Sequence, residues 1–356
     1  MTDKLGMTTD GALTTLDIHT LPEESTYAGV TSFLRRPFQK DLSNIDAAIV
    51  GIPFDTATTN RPGARFGPRG IRNASVNLAF GTRVYGWDFH PIRELRICYH
   101  GDLPFDFAQP AKVPQQIEEY VSWMLGQDVM VLSLGGDHFI SWPLVKAHAG
   151  IHGKPISLIH FDAHSDTWPD EHDDGVNHGT MFWHATQQGF LDPAASVQIG
   201  LRTDNQDTLG FNILDGPWIQ RHGTDAAIEQ IRKIVGDNKT YLTFDIDCLD
   251  PAYAPGTGTP VCAGLTTHQA REILRGLAGI HVIGADLVEV APPYDHSAIT
   301  ALAGATLAQD FLCLFARSPT CRDLTRGRLR PPGQRRFAVL SLSAQPNTET
   351  LHAVIH

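Results

Sequence analysis

Four short segments of this 356-residue chain concentrate carboxylates and imidazoles: Gly135-Gly-Asp-His138, Asp162-Ala-His-Ser-Asp166, Asp245-Ile-Asp247 and Asp286-Leu-Val-Glu289. In the second, Asp162, His164 and Asp166 stand two positions apart, directly after the apolar run Ile156-Ser-Leu-Ile. Alternate residues of an extended backbone point to one side, so the three side chains converge. Taken singly, each segment has an ordinary reading as a cap, a turn or a hydrogen-bonded loop histidine. Together they require something else. Carboxylates at contact distance repel and raise one another's pKa, so a site that keeps several of them ionised needs cations. His138, Asp162, His164, Asp166, Asp245 and Asp247 supply four carboxylates and two imidazoles. Shared between two divalent ions, with some carboxylates bridging, this set balances charge and suits a centre that activates one water. Oxygen-rich, thiolate-free ligation favours Mn²⁺ over structural Zn²⁺, although Zn²⁺, Co²⁺ and Ni²⁺ compete on affinity. Cys248, beside the third segment, reads as buried filler rather than a ligand.

Such segments need elements that carry them to one place. Short apolar runs at 45–52, 129–134, 156–161, 197–200, 241–244 and 281–285 predict six strands buried on both faces. Helical patterns lie between or after them at 114–125, 224–235, 267–277 and 298–315, with Thr224 as an N-cap and Ile228, Ile231 and Val235 on one face. This alternation predicts βαβ units and a mainly parallel sheet. In such sheets ligands collect outside the carboxyl ends of the strands, where the four acidic segments fall. They can therefore share one crevice.

A chain of this length can form one large α/β domain. Its formal charge of -11 argues against nucleic acid as the main partner and suits a protein that handles cations. Five cysteines without CxxC spacing predict reduced thiols and a cytoplasmic setting. The amino terminus lacks an apolar segment behind a basic start, and no run reaches the ~18 apolar residues of a membrane span. From Arg317 to Arg336 the chain has seven arginines and one acid, with several prolines. That composition predicts a poorly ordered tail.

The segments Gly135-Gly-Asp-His138-Phe, Asp162-Ala-His-Ser-Asp166, His178-Gly-Thr-Met-Phe, the run from Phe244-Asp-Ile-Asp to Pro260, and Glu289-Val-Ala-Pro-Pro-Tyr-Asp295 resemble the signature segments of the ureohydrolase (arginase/agmatinase) family. The agmatinase branch is the most similar. The resemblance runs from about Thr31 to the helix ending near Phe315. It implies an N-terminal segment at 1–30, a catalytic domain at 31–316 and the basic tail at 317–356. The implied fold is a three-layer α/β/α arrangement around a mainly parallel eight-stranded sheet, two strands more than the apolar runs reveal.

Two Mn²⁺ ions per subunit are implied, one held by His138, Asp162, Asp166 and Asp245, the other by Asp162, His164, Asp245 and Asp247. The implied reaction is attack of metal-bridging hydroxide on a guanidinium carbon, with Asp166 positioning the nucleophile, His178 protonating the leaving amine and Glu289 holding the guanidinium. The partner is then a small cationic guanidino compound, most simply agmatine, which yields urea and putrescine. Guanidinobutyrate and guanidinopropionate are alternatives, and a non-catalytic binding or regulatory relative is a further one. The loop Trp168-Pro-Asp-Glu-His-Asp-Asp-Gly-Val-Asn177 lacks the Ser and Asn pattern of arginases, which disfavours arginine, and its acids would attract an ammonium group. Assembly as a homo-oligomer, a trimer or hexamer, is also implied. Arg65 and Arg72 in the Gly-rich 61–72 stretch read as structural, and 256–260 reads as a loop that shapes the mouth of the site.

Overall fold

The computed structural model describes Ala12 and residues 25–106, 108–170 and 176–321. Within them, eight strands form one sheet: β1 (Ala47–Ile52), β2 (Ile97–Asp102), β3 (Met130–Gly135), β4 (Ser157–Phe161), β5 (Val197–Ile199), β6 (Asn212–Leu214), β7 (Thr240–Asp245) and β8 (Val282–Val288). The helices are α1 (Gly67–Ser75), α2 (Pro91–Glu94), α3 (Val113–Leu125), α4 (Ser141–His152), α5 (Met181–Gln187), α6 (Gly216–Val235), α7 (Thr267–Gly276) and α8 (Ile299–Arg317). Every strand pair is parallel, so the sheet is wholly rather than mainly parallel.

Strand alternation divides the core in two. In β1, Ala47 and Ile49 join a cluster with Ile71 of α1, Ile219 and Ile231 of α6, Ile273 of α7 and Phe311 of α8. Ala48, Val50 and Ile52 join the opposite cluster with Ile117 and Val121 of α3, Leu144 of α4 and Phe182 of α5. Both faces are thus covered by helices, which makes the three-layer arrangement and explains why the central strands read as continuous apolar runs. Fully buried side chains such as Phe161 and Phe244, stacked 4.9 Å apart, each contribute roughly 1.5–3 kcal/mol relative to exposure.

The strand order is β2-β1-β3-β8-β7-β4-β5-β6. The chain first lays down β1, β2 and β3, crosses to build β4, β5 and β6, and returns to fill the gap with β7 and β8. The four strands that end in the acidic segments are therefore neighbours at the centre of the sheet.

Several expectations are corrected. Both edge strands, β2 and β6, escape the apolar-run criterion, because β2 reads Ile-Cys-Tyr-His-Gly-Asp and β6 has only three residues. Helix α6 begins at Gly216, where the Asp215 side chain accepts the Trp218 N–H. It is broken at Gly223 (φ 83°), and the Thr224 hydroxyl goes to Glu272 instead of capping. The Gly-rich 61–72 stretch enters helix α1 at Gly67. The packed chain also runs past Ala316: Arg317 lies over the Phe89 ring, the Ser318 hydroxyl donates to Val282 O, and Cys321 is buried. The rest of the predicted tail, after Cys321, lies outside the described residues. Helix α8 has the length and hydropathy of a membrane span, yet 78% of its apolar window is buried inside the fold, as befits a core helix.

Candidate metal centre and active site

The four segments leave the central strands through tight turns. After β3, a Cβ on Gly136 would lie 1.8 Å from Phe54 O, so only glycine permits this approach. The turn is held by Asp137, whose Oδ2 accepts the Ala57 N–H at 2.8 Å, and it delivers His138 at the start of a 3₁₀ turn. After β7, Asp245 caps a 3₁₀ turn by accepting the Asp247 N–H through Oδ1 at 2.7 Å. Asp166 and Glu289 both adopt left-handed backbone conformations, with φ of 52° and 63°. Such strain in non-glycine residues concentrates at functional sites.

The side chains meet in two adjoining groups. His138 Nδ1 lies 2.9 Å from Asp162 Oδ2, 3.0 Å from Asp166 Oδ2 and 3.3 Å from Asp245 Oδ2. His164 Nδ1 lies 3.3 Å from Asp162 Oδ1 and 3.1 Å from Asp247 Oδ2. Asp162 thus belongs to both groups, one oxygen to each. Asp245 reaches the first group through Oδ2 while its Oδ1 is engaged with the Asp247 N–H.

Beneath this layer runs a polar rung that the sequence reading missed. Strand register aligns Gln198 of β5, His160 of β4, Thr243 of β7, Asp286 of β8 and Ser133 of β3 across the sheet. The Thr243 hydroxyl donates to Asp286 Oδ1 at 2.6 Å, so it accepts the His138 Nε2–H at 2.9 Å. Nδ1 is then the atom that His138 turns to the carboxylates. Among the described residues this buried nitrogen makes no well-angled hydrogen bond despite the oxygens around it, a lack that a cation between it and the acids would satisfy. His160 accepts from Gln198 Nε2 through Nδ1 and donates through Nε2 to Asp162 Oδ2 at 2.8 Å, so it offers the site a proton rather than a lone pair. It orients Asp162 and is not a ligand.

Electrostatics point the same way. Burial, followed by repulsion from neighbouring carboxylates, pushes Asp245, Asp247 and Asp166 above the usual carboxylate range. Burial also opposes the charge on Asp162, but the imidazoles of His138, His160 and His164 packed against it outweigh burial and hold Asp162 well below that range. Against the same burial, Asp247 and Asp162 push His164 up to about 12. The cluster holds protons where it lacks other positive charge. The donor set fits divalent cations, which can take their place.

A cavity of ≈ 310 Å³ opens beside the cluster, lined by Thr59, His164, Asp166, Trp168, Asn177, His178, Gly179, Asp245 and Thr259. His178 Nδ1 donates to Glu289 Oε1 at 2.8 Å, and the same oxygen accepts the His138 N–H at 3.0 Å. Glu289 Oε2 is buried without a partner among the described residues and faces Gly258, where a Cβ would lie 3.1 Å away. Burial works against a charged His178, but the hydrogen bond and charge of Glu289 push the imidazole up to about 9. A larger cavity, ≈ 400 Å³, lies between Trp142, Phe139 and His184 and includes none of the residues assigned to the site.

The structure brings His138, Asp162, His164, Asp166, Asp245, Asp247, His178 and Glu289 together as the sequence reading grouped them. Asp286 sits one layer down, accepting from Ser141, Tyr241 and Thr243. Cys248 is buried with its thiol toward Ile199 O. Arg72 pairs with Asp102 through two hydrogen bonds, and Arg65 pairs with Asp55, which are structural roles. The 256–260 loop does shape the mouth, through Gly258 against Glu289 and Thr259 on Asp247 Oδ2. Within the acidic loop, Asp170 is turned to His184 Nε2, and the remaining acids, 171–174, lie outside the described residues. Of the missed residues, His160 had a signal, since it shares strand parity with Asp162. Thr59, Thr243, Thr259 and Gln198 had none.

The fold and the site define a class: a three-layer α/β/α protein whose central strand ends assemble adjoining imidazole and carboxylate groups able to hold metal ions. A family model described as the Arginase family matches residues 45–314. An agmatinase of Chromobacterium violaceum is 50% identical over 306 residues, covering 86% of this chain and 95% of that one. The crystal structure of a hypothetical agmatinase from Burkholderia thailandensis superposes with a TM-score of 0.83 at 52% identity, covering 86% of this chain and 97% of that one. The proclavaminate amidino hydrolase of Streptomyces clavuligerus gives 0.77 at 33% identity, covering 83% and 100%. The chain belongs to the arginase family.

Proposed function

We propose that this chain is an agmatinase, hydrolysing agmatine to putrescine and urea with two Mn²⁺ ions. The observation that carries the metal reading is His138 Nδ1, buried, without a well-angled hydrogen bond among the described residues and ringed by three carboxylate oxygens. His138, Asp162, Asp166 and Asp245 would hold one ion, and Asp162, His164, Asp247 and Asp245 the other. When bound, the ions supply Lewis acidity that brings water to working acidity near neutral pH.

The protein's own groups supply the rest. Glu289 Oε2 accepts guanidinium N–H groups, giving a charge-assisted pair where no other donor serves that oxygen. Asp166 accepts a hydrogen bond from the attacking water and aims its lone pair at the guanidinium carbon. As the carbon–nitrogen bond breaks, His178 gives a proton to the departing amine, which leaves as an alkylammonium while urea forms. Among the described residues, no Lys or Arg lines the cavity, so a substrate carboxylate finds no counterion there, which favours agmatine over guanidinobutyrate and arginine. The cysteines form no disulfide among the described residues, which supports a cytoplasmic setting, and the family resemblance supports a homo-oligomer.

The test is urea release from agmatine, guanidinobutyrate, guanidinopropionate and arginine, using chelator-stripped protein reloaded with defined metals. Agmatine with Mn²⁺ is expected to give the highest kcat/KM, with two ions per chain by elemental analysis. Another best substrate overturns the specificity, and one ion per chain at full activity overturns the paired site.

A further inference from the structure

We infer that Thr59 is the relay through which His178 exchanges its proton with solvent. This rests on the reading of His178 as the acid that serves the leaving amine. The two edges of the imidazole are not equivalent. Nδ1 is turned inward to Glu289 Oε1, a buried oxygen that also accepts the His138 N–H, so this edge has no route to water. Nε2 is turned outward to Thr59, with Oγ1 at 2.8 Å and the backbone N–H donating at 3.1 Å. His178 is 9% exposed, whereas Thr59 is an exposed residue on the rim of the substrate cavity.

The two groups of Thr59 act differently. Its backbone N–H can only donate, so it holds the neutral ring with the proton on Nδ1 and the lone pair outward. Its hydroxyl can donate to neutral Nε2 or accept from Nε2–H of the imidazolium, by rotation alone. Once His178 has given its Nε2 proton to the amine, the Thr59 O–H proton passes to Nε2 while Oγ1 takes a proton from a solvent water or buffer acid. Two bonds to hydrogen break, that of Thr59 O–H and that of the buffer acid or water, which is left as its conjugate base; one N–H and one Thr59 O–H form, so one proton moves from solvent to the ring. Asp166, Asp137 and Glu289 surround the ring with negative charge and favour its refilling.

Thr59→Val keeps the shape and the backbone N–H but removes the hydroxyl, and Thr59→Ser keeps it. With the metal-loaded enzyme, Thr59→Val is expected to lower kcat for agmatine roughly 10- to 100-fold, within the range of a lost general acid–base path, with KM and metal content little changed. Added imidazole should restore kcat in proportion to its concentration, and Thr59→Ser should recover most of it without imidazole. Unchanged kcat in Thr59→Val at low buffer, or a loss that neither imidazole nor serine repairs, overturns the relay. Absence of urea release by the unmodified enzyme, or full kcat in His178→Asn, instead strikes the underlying reading of the site and takes the relay with it.

Discussion

His138 shows how one hydroxyl proton decides what a histidine can do. Because Thr243 spends its proton on Asp286, His138 donates through Nε2 and turns Nδ1 to three acids. His160 does the complementary task, donating to the carboxylate common to both ligand groups. Replacing it by phenylalanine keeps the ring's bulk against Phe182, whose centroid lies 4.6 Å away, and removes the proton given to Asp162 along with the acceptor for Gln198, whose Nε2 still donates to Ser165 O. We expect His160→Phe to weaken Mn²⁺ binding about 10- to 100-fold with the fold retained, as for other supporting partners of metal ligands. Chelator competition reads this directly, and an unchanged affinity would remove His160 from the support of the site.

Among the elements, the turn from β3 into the 3₁₀ segment at His138 tolerates least. A Cβ at Gly136 meets the backbone of Phe54, which cannot swing aside, and so Gly136→Ala should destabilise the protein by about 1–3 kcal/mol and displace His138. Gly150 is the contrast. It lies exposed in α4 with nothing within 4 Å of a would-be Cβ, and Gly150→Ala should stabilise by roughly 0.5–1 kcal/mol through helix propensity. Thermal unfolding of the two variants should therefore move in opposite directions. A fall in Tm for Gly150→Ala would mean that the helix is not as described.

At the scale of the whole molecule, stability should depend on pH through buried histidines far from the cavity. His152 is lowered to about 4, first by burial and then by the positive charge of Lys239 and His281. His148, wholly buried between Gly284 and Tyr241 with both ring nitrogens unpartnered among the described residues, is also lowered by that burial. The unfolded chain takes up a proton near the ordinary value of 6.5, while the folded chain resists until about 4 at His152. Over that window the unfolded state binds more protons, so stability is lost as pH falls from about 6.5 to about 4 and is level in this respect above 6.5. His152→Gln should flatten part of the decline when Tm is followed between these limits with the metal removed. An identical slope in variant and parent would exclude this origin.

The acidic segments, their place at strand ends, six of eight strands and the candidate ligand residues could all be read from the chain itself, because strand burial and local spacing leave short-range patterns. The edge strands left weaker ones, being short or interrupted by polar residues at the border of the sheet. Strand order left none. That β8 and β7 enter between β3 and β4, and so make neighbours of four segments separated by up to 151 residues, follows from packing among distant elements. The rung from Gln198 to Ser133, the tautomer of His138 and the meeting of Thr59 with His178 depend on register and loop placement. Those relations exist only after the sheet has closed and water has left its centre.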